Sequence, residues 1–276
     1  MDFEQMIPII AENGKKNIAL HSMDYVKDGL LYCYKCNSPK QTVIHSMTVP
    51  TLCECEVKER DEQEHKNKVI KLRENGIPDK RLYACTFAND DGKNPGLTKL
   101  ARLYVDNFNE HYKKGKGLLL FGDVGYGKTY AALSIANDLI DQEISCKFTD
   151  FPTILREWEG QYGHKDDYLR RLNACDCLII DDFGTERKTE YTQEVVFSVI
   201  NTRLNSGLPF VITTNTPKSE FINPTDISQK RIFSRLLGAS IAYECKGRDR
   251  RLDSFVETNK EAKKHLSETL INAEPK

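Results

Sequence analysis

The run Gly117-Leu118-Leu119-Leu120-Phe121, followed at once by Gly122-Asp123-Val124-Gly125-Tyr126-Gly127-Lys128-Thr129, constrains this chain more than any other feature. Five apolar residues in a row have the length and character of a strand buried on both faces. After the octet, Ala132, Ile135, Leu139 and Ile140 recur at helical spacing between Tyr130 and Gln142. The octet fits G-x-x-x-x-G-K-[ST], and strand, glycine loop and helix are the context that this pattern requires. The backbone N–H groups of such a loop, here running through Asp123, Val124 and Tyr126, converge on phosphate oxygens. The helix that follows adds its positive N-terminal end. Gly122, Gly125 and Gly127 permit conformations and approaches that a Cβ would block. Lys128 is expected to neutralise phosphate charge, and Thr129 to hold Mg²⁺.

Length allows one large domain and a small one, since the chain has 276 residues. Its 40 basic and 41 acidic residues leave a net charge of −1, so no global field draws in nucleic acid and any such contact needs a local patch. No apolar run approaches the roughly 18 residues of a membrane span. Asp2 and Glu4, with no long apolar core behind them, do not resemble a signal peptide. Nine cysteines, an odd number, argue against a disulfide framework and for a reducing, cytoplasmic setting.

Those cysteines are unevenly placed. Cys33 and Cys36 form one close pair and Cys53 and Cys55 another, on either side of a hairpin-like segment from Gln41 to Pro50. Four thiolates brought together by turns suit tetrahedral zinc. The second pair is C-x-C, so His45 is an alternative ligand; a redox C-x-x-C is the lesser reading because no βαβ pattern surrounds it. Ahead of the cysteines, Phe3, Met6, Ile7 and Ile10, then Ile18 to Val26, read as a helical lead-in. The chain therefore divides into a zinc-binding domain over 1–60, a charged helical linker over 61–79 and a nucleotide domain over 80–276. Glu56 to Glu74 reads as a solvated helix ended by Gly76-Ile77-Pro78.

From there the chain alternates. Asn89 to Gly96 is rich in turn residues, and Leu97 to Lys113 reads as a helix with Leu100, Leu103, Tyr104 and Phe108 inward. Strands are expected at Cys146–Thr149, Cys175–Asp182, Pro209–Asn215 and Ser240–Cys245, besides the one before the glycine loop. Helices are expected at Pro152–Trp158, Asp167–Leu172, Glu194–Asn205, Ile227–Leu237 and Leu252–Leu270. Near-continuous apolar strands separated by helices predict an α/β fold with a five-stranded parallel sheet covered on both faces.

In such a sheet, chemistry collects at the carboxyl ends of the strands. Asp181 and Asp182 end an apolar strand: Asp181 is placed to hold Mg²⁺ through water, and Asp182 to orient or deprotonate an attacking water. Asn215 ends the next strand within reach of a γ-phosphate or that water. Arg231 and Arg235 lie four apart on one helix face, and Arg248, Arg250 and Arg251 follow the last strand.

Taken in order, Gly122–Thr129, Asp181-Asp182-Phe183-Gly184, Thr213-Thr214-Asn215 and Arg231-Ile232-Phe233-Ser234-Arg235-Leu236 resemble the AAA+ ATPases of the DnaC/DnaI helicase-loader group, over about residues 80–252. The cysteine-bearing region is similar to that of phage and prophage members, whose N-terminal domain docks on the replicative helicase. The resemblance implies Lys128 and Thr129 as Walker A, Asp181 and Asp182 as Walker B, Asn215 as sensor 1 and Arg235 as the arginine finger. Arg251 best matches sensor 2, with Arg250 the alternative. It further implies ATP, Mg²⁺ and Zn²⁺ as cofactors, and an ATPase that loads a hexameric replicative helicase onto single-stranded DNA. Self-association in the presence of ATP would let Arg235 reach a neighbour's nucleotide. For DNA, the segment Phe151 to Tyr168, with Arg156, Trp158, Tyr162 and Lys165, is a candidate, although Trp158 also suits packing.

Two departures are visible. The second Walker B acid is Asp182 where many AAA+ proteins have Glu, which implies slower hydrolysis and a timed switch. Beyond Arg251 only about 25 residues remain, too few for a full helical lid. Two other readings keep the nucleotide site and change the task. One is a transposition helper resembling the IstB group, against which the cysteine region counts; the other is an adaptor that senses nucleotide without hydrolysing it.

Overall fold

The computed structural model describes residues 21–161, 163–186, 189–224, 226–247 and 249–250, with positions 255, 258–260 and 263 of a further helical stretch. The chain forms two compact units, Met1–Lys68 and Val69–Lys276.

The described part of the first unit is built from two hairpins. Strand β1 (Tyr25–Lys27) pairs antiparallel with β2 (Leu30–Tyr32), and β3 (Gln41–Ile44) with β4 (Met47–Pro50). Asp28 and Gly29 turn the first hairpin with φ of 52° and 79°, the paired left-handed geometry that suits strand twist. That turn overrides the helical pattern expected up to Val26, because its register fixes Tyr25 opposite Tyr32. The expected helix at Phe3–Ile10 lies outside the described residues. His45 and Ser46 make the second turn, with φ of 48° and 63°. Helix α1 (Glu54–Gly76) starts directly after Cys53.

The second unit is organised by strand β5 (Gly117–Phe121). Four more strands join it: β6 (Cys146–Asp150), β7 (Cys177–Phe183), β8 (Phe210–Thr214) and β9 (Ser240–Glu244). All pairings are parallel, in the order β6-β7-β8-β5-β9. This is the five-stranded parallel sheet that the sequence pattern predicts. Alternation sorts its side chains. Leu118, Leu120, Ile179 and Val211 join one apolar cluster with helices α2 (Pro95–Asp106) and α4 (Lys128–Asp141). Leu119, Phe121, Leu178, Ile180 and Ile212 join the other, on the opposite face, with α5 (Phe151–Glu159), α6 (Lys165–Leu172), α7 (Glu190–Asn205), α8 (Lys218–Ile222) and α9 (Ile227–Ala239).

The helix expected over 97–113 is two helices, α2 and a short α3 (Phe108–Lys114), separated at Asn107. Leu97, Ala101, Tyr104 and Val105 form the inner face of α2, and Leu103 is exposed. At about 100° per residue, Leu103 falls on the far side of the turn from Ala101 and Val105. The expected terminal helix lies largely outside the described residues, where Phe255, Thr258–Lys260 and Lys263 are helical.

Candidate functional site

The glycine loop joins the carboxyl end of β5 to α4, and its shape depends on chain far away in sequence. Gly122, Gly125 and Gly127 all have positive φ, 137°, 86° and 85°. A Cβ on Gly122 would lie 2.4 Å from the carbonyl oxygen of Cys245, and one on Gly125 would lie 1.9 Å from Asp249 Oδ1. The loop is therefore pressed against the segment that follows β9, and only glycine fits there. The Arg250 N–H donates to the Gly125 carbonyl at 3.1 Å, and Asn94 Nδ2 donates to the Tyr126 carbonyl at 3.3 Å.

Lys128 is the first residue of α4 and is only 5% exposed. Its ammonium donates to the Gly122 carbonyl at 2.8 Å and the Asp123 carbonyl at 2.7 Å, which aims the charge along the inside of the loop. Burial pulls its pKa down; Cys245, Asp182, Asp181 and Asp123 act in the opposite direction.

The acids of β7 need a structural device to serve one site. Successive strand side chains point to opposite faces, so adjacent acids would normally diverge. Here the β7–β8 register shifts between Ile180 and Phe183, and Asp182 adopts φ of 50°. Aspartate is one of the few residues that visits this left-handed region. Thr213 ties the bulge together: its hydroxyl donates to Asp181 Oδ1 at 2.5 Å and accepts the Asp182 N–H at 2.9 Å. Burial raises the Asp181 carboxyl above the usual carboxylate range, although hydrogen bonds from Thr213 and Thr129 pull it down. Asn215 Nδ2 donates to Asp182 Oδ1 at 3.3 Å. Lys128, Thr129, Asp182 and Asn215 thus share a cavity of about 380 Å³, while Asp181 is buried and held by Thr213.

One wall of that cavity was not legible in the sequence. Leu82 and Cys85, from a short 3₁₀ segment before α2, face Tyr130 and Leu133 of α4. Tyr130 donates its hydroxyl to the Thr86 carbonyl at 2.9 Å, and Asn137 Nδ2 donates to the Leu82 and Cys85 carbonyls at 3.1 and 2.9 Å. This apolar wall next to a phosphate loop suits a flat aromatic base. Arg250 also lines the cavity. Arg251 and Arg248 lie outside the described residues.

Arg231 and Arg235 are exposed on α9 and do not line this cavity. Arg235 donates to Asn201 Oδ1 of α7 and lies 5.9 Å from the centre of the Phe197 ring. In the candidate DNA segment, Phe151, Trp158 and Tyr168 are buried, with Trp158 and Tyr168 edge to face at 6.0 Å. Trp158 is therefore core, not a stacking platform, while Arg156 and Lys165 remain exposed. Tyr162 lies outside the described residues.

In the first unit, the sulfurs of Cys33, Cys36, Cys53 and Cys55 all lie within 4.8 Å of one another. Cys33–Cys55 and Cys53–Cys55 are 3.6 and 3.2 Å apart, near the roughly 3.8 Å sulfur–sulfur edge of a tetrahedron with zinc–sulfur bonds of about 2.3 Å. The uneven spacing has a local cause. Cys33 and Cys36 flank a turn closed by the Asn37 N–H on the Cys33 carbonyl, whereas Cys53 immediately precedes α1 and Cys55 lies in its first turn. A hydrogen bond with Ser38 is the chief cause that pulls the Cys36 thiol down to about 6. His45 is exposed at the tip of the second hairpin and outside this group. Among the described residues, the unit's buried apolar side chains are Leu31, Cys33 and Cys53, so two of the three belong to the cysteine cluster.

Sheet order, glycine loop and paired acids define a P-loop nucleotide-binding domain of the AAA+ type. The chain belongs to the IstB-like ATP-binding protein family, whose profile matches residues 35–254. It is 27% identical over 213 residues to the replicative helicase loader DnaI of Bacillus subtilis (strain 168), covering 72% of this chain and 68% of that one. It is 25% identical over 166 residues to the replicative helicase loader DnaC of Escherichia coli (strain K12), covering 57% of this chain and 65% of the relative, a little under two thirds. A crystal structure of the DnaC helicase loader superposes with a TM-score of 0.54 at 22% identity, over 61% of this chain and 100% of that chain, which establishes the shared fold. Among the described residues, no helix is long and apolar enough to cross a membrane.

Proposed function

We propose that this chain is an ATP-dependent replication factor that delivers a hexameric replicative helicase onto single-stranded DNA. Nucleotide binding and slow hydrolysis act as its switch. The observation that carries the reading is one chain holding both a four-cysteine cluster and an AAA+ nucleotide site, with relatives named as replicative helicase loaders. Lys128 holds the β- and γ-phosphates, and Gly122 to Gly127 offer backbone N–H groups to them. Thr129 and Asp181 supply hard oxygen donors for Mg²⁺, and Thr129 is near enough to Asp181 to help lower its carboxyl pKa. When bound, the ion neutralises charge on the phosphates. Asp182, oriented by Asn215, holds the attacking water and takes its proton, giving ADP and phosphate. Asp182 is one methylene shorter than Glu, which favours slow turnover. Arg235, exposed on α9, serves a neighbouring subunit's nucleotide in an ATP-dependent assembly. The four thiolates hold Zn²⁺ and present the unit over residues 1–60 to the helicase; residues 61–79 link it to the ATPase domain over 80–276. Arg156 and Lys165 are the exposed cations of the DNA-facing segment.

The decisive experiment measures deposition of a purified replicative helicase on a circular single strand, with and without this protein and ATP. Faster deposition that needs both supports loading. No complex with the helicase and no change in deposition defeats it. The IstB-type reading, a transposition helper acting on duplex DNA, gains from one observation: the family profile begins at residue 35, inside the cysteine region. A clear preference for duplex over single-stranded DNA with ATP present would favour that reading instead.

A further inference from the structure

The turn-rich stretch before α2 has a role that its composition does not announce. Asp90 and Asp91 lie beside the nucleotide cavity through Arg250. Arg250 Nη2 is 3.1 Å from Asp91 Oδ1 and 3.7 Å from Asp90 Oδ1, with its side chain only 18% exposed. The other edge of the same guanidinium faces the glycine loop: a Cβ on Gly127 would be 3.0 Å from Nη1 and 3.4 Å from Nε. Guanidinium is a rigid planar fork, so fixing one edge sets the direction of the other. The main chain is pinned too, by the Arg250 N–H on the Gly125 carbonyl.

Both acids are themselves held. Asp90 Oδ2 accepts the Thr98 hydroxyl at 2.5 Å, and Asp91 Oδ1 accepts the Lys93 N–H at 3.0 Å. Asn94, in the same turn, bonds both the Tyr126 and Lys246 carbonyls, at 3.3 and 3.4 Å. One turn thus holds the glycine loop and the segment after β9 in a fixed relation.

We infer that Asp90 and Asp91 are positioning residues that aim Arg250 across the glycine loop at the terminal phosphate of a bound triphosphate. They act on the arginine and touch no phosphate. The carboxylates neutralise a charge that the cavity would otherwise hold unpaired, and they keep its free edge pointed inward when nucleotide enters. Because the γ-phosphate is the group in question, the pair tunes triphosphate over diphosphate rather than nucleotide binding at large. This inference rests on the cavity being the ATP site of the proposed function.

The test is a double-mutant cycle on the full chain, read as dissociation constants for ATP and ADP by calorimetry. Asp90→Asn with Asp91→Asn removes both charges and keeps the acceptor oxygens that hold the turn. The expected result is a loss of roughly tenfold in ATP affinity, the scale of a coupling between groups, with ADP affinity unchanged. In an Arg250→Ala background the same pair of changes should alter neither. Asp91→Glu in the Asp90→Asn background, which restores a carboxylate, should recover part of the ATP affinity. Equal loss for ATP and ADP, tighter ATP binding, or the same loss without Arg250 would each overturn the inference. A wild-type chain that binds neither nucleotide would instead overturn the nucleotide site itself. Thermal midpoints of the variants separate either result from failure to fold.

Discussion

Two cations are buried at opposite ends of one sheet, and their surroundings differ. Arg203 is 1% exposed at the amino ends of β7 and β8. Its Nε donates to the Pro209 carbonyl, and its Nη groups to the carbonyls of Asn173, Cys175, Asp176 and Pro209. Lys128, at the carboxyl ends, is nearly as buried and donates to two loop carbonyls. Every nitrogen of Arg203 is held by backbone that its own fold closes around it. Lys128 faces acids across a cavity, and the buried acid among them, Asp181, has its pKa raised by its setting. A buried charge locked by neutral carbonyls is scaffold; one set among strained acids is positioned for a ligand.

That contrast can be broken at several points. The largest effect is expected for Arg203→Met, which leaves the carbonyls of Asn173, Cys175, Asp176 and Pro209 without their donor. It should cost about 3 kcal/mol of stability in denaturant melts, with ATP affinity unchanged wherever the variant is folded. An equally stable variant would remove Arg203 from the scaffold. Lys128→Ala should reverse the pattern: about 2 kcal/mol of ATP binding lost by calorimetry, roughly thirtyfold, with the unfolding midpoint held.

Asp181→Asn should stabilise the nucleotide-free chain by about 1 kcal/mol, since a site held ready for function is rarely at its stability optimum. The same residue sets a pH dependence. Its carboxyl is raised, so it takes up a proton at higher pH than an ordinary aspartate, and the ionised form, which would hold Mg²⁺ under the proposed function, is lost as pH falls. Mg²⁺-dependent nucleotide binding should therefore weaken while pH is still above about 4, and Asp181→Asn should flatten that profile. Smallest in stability is Asp182→Asn, within about 0.5 kcal/mol at this exposed position, because asparagine also adopts the left-handed φ found there. It should stop phosphate release and leave ATP binding intact. If Asp182→Asn supports the protein's task in cells while Lys128→Ala does not, ATP acts here by binding alone.

How much of this was legible depended on distance along the chain. Strand, loop and helix around Lys128 are local, and periodicity exposed them. The adjacent acids were visible as residues, but not the bulge and left-handed Asp182 that bring them to one cavity. Asp90, Asp91 and Asn94 looked like ordinary turn residues because their partners lie far off: Asn94 reaches Lys246, 152 positions away. Leu82 and Cys85 gave no periodic signal within a short 3₁₀ turn. Nothing in the sequence marked Arg203, whose partners are all main-chain carbonyls that any residue supplies. Trp158 was open to both readings, and the edge-to-face contact with Tyr168 decides for packing.

Gly122 lies against the Cys245 carbonyl, and Gly125 accepts the Arg250 N–H. During synthesis this has a consequence in time. A growing chain that has emerged through β8 already holds the loop, the lysine and both acids, yet the backbone that shapes the loop has still to be made. Competence to bind nucleotide should arrive only after residues 245–250 leave the ribosome, so partly made chains remain blind to ATP.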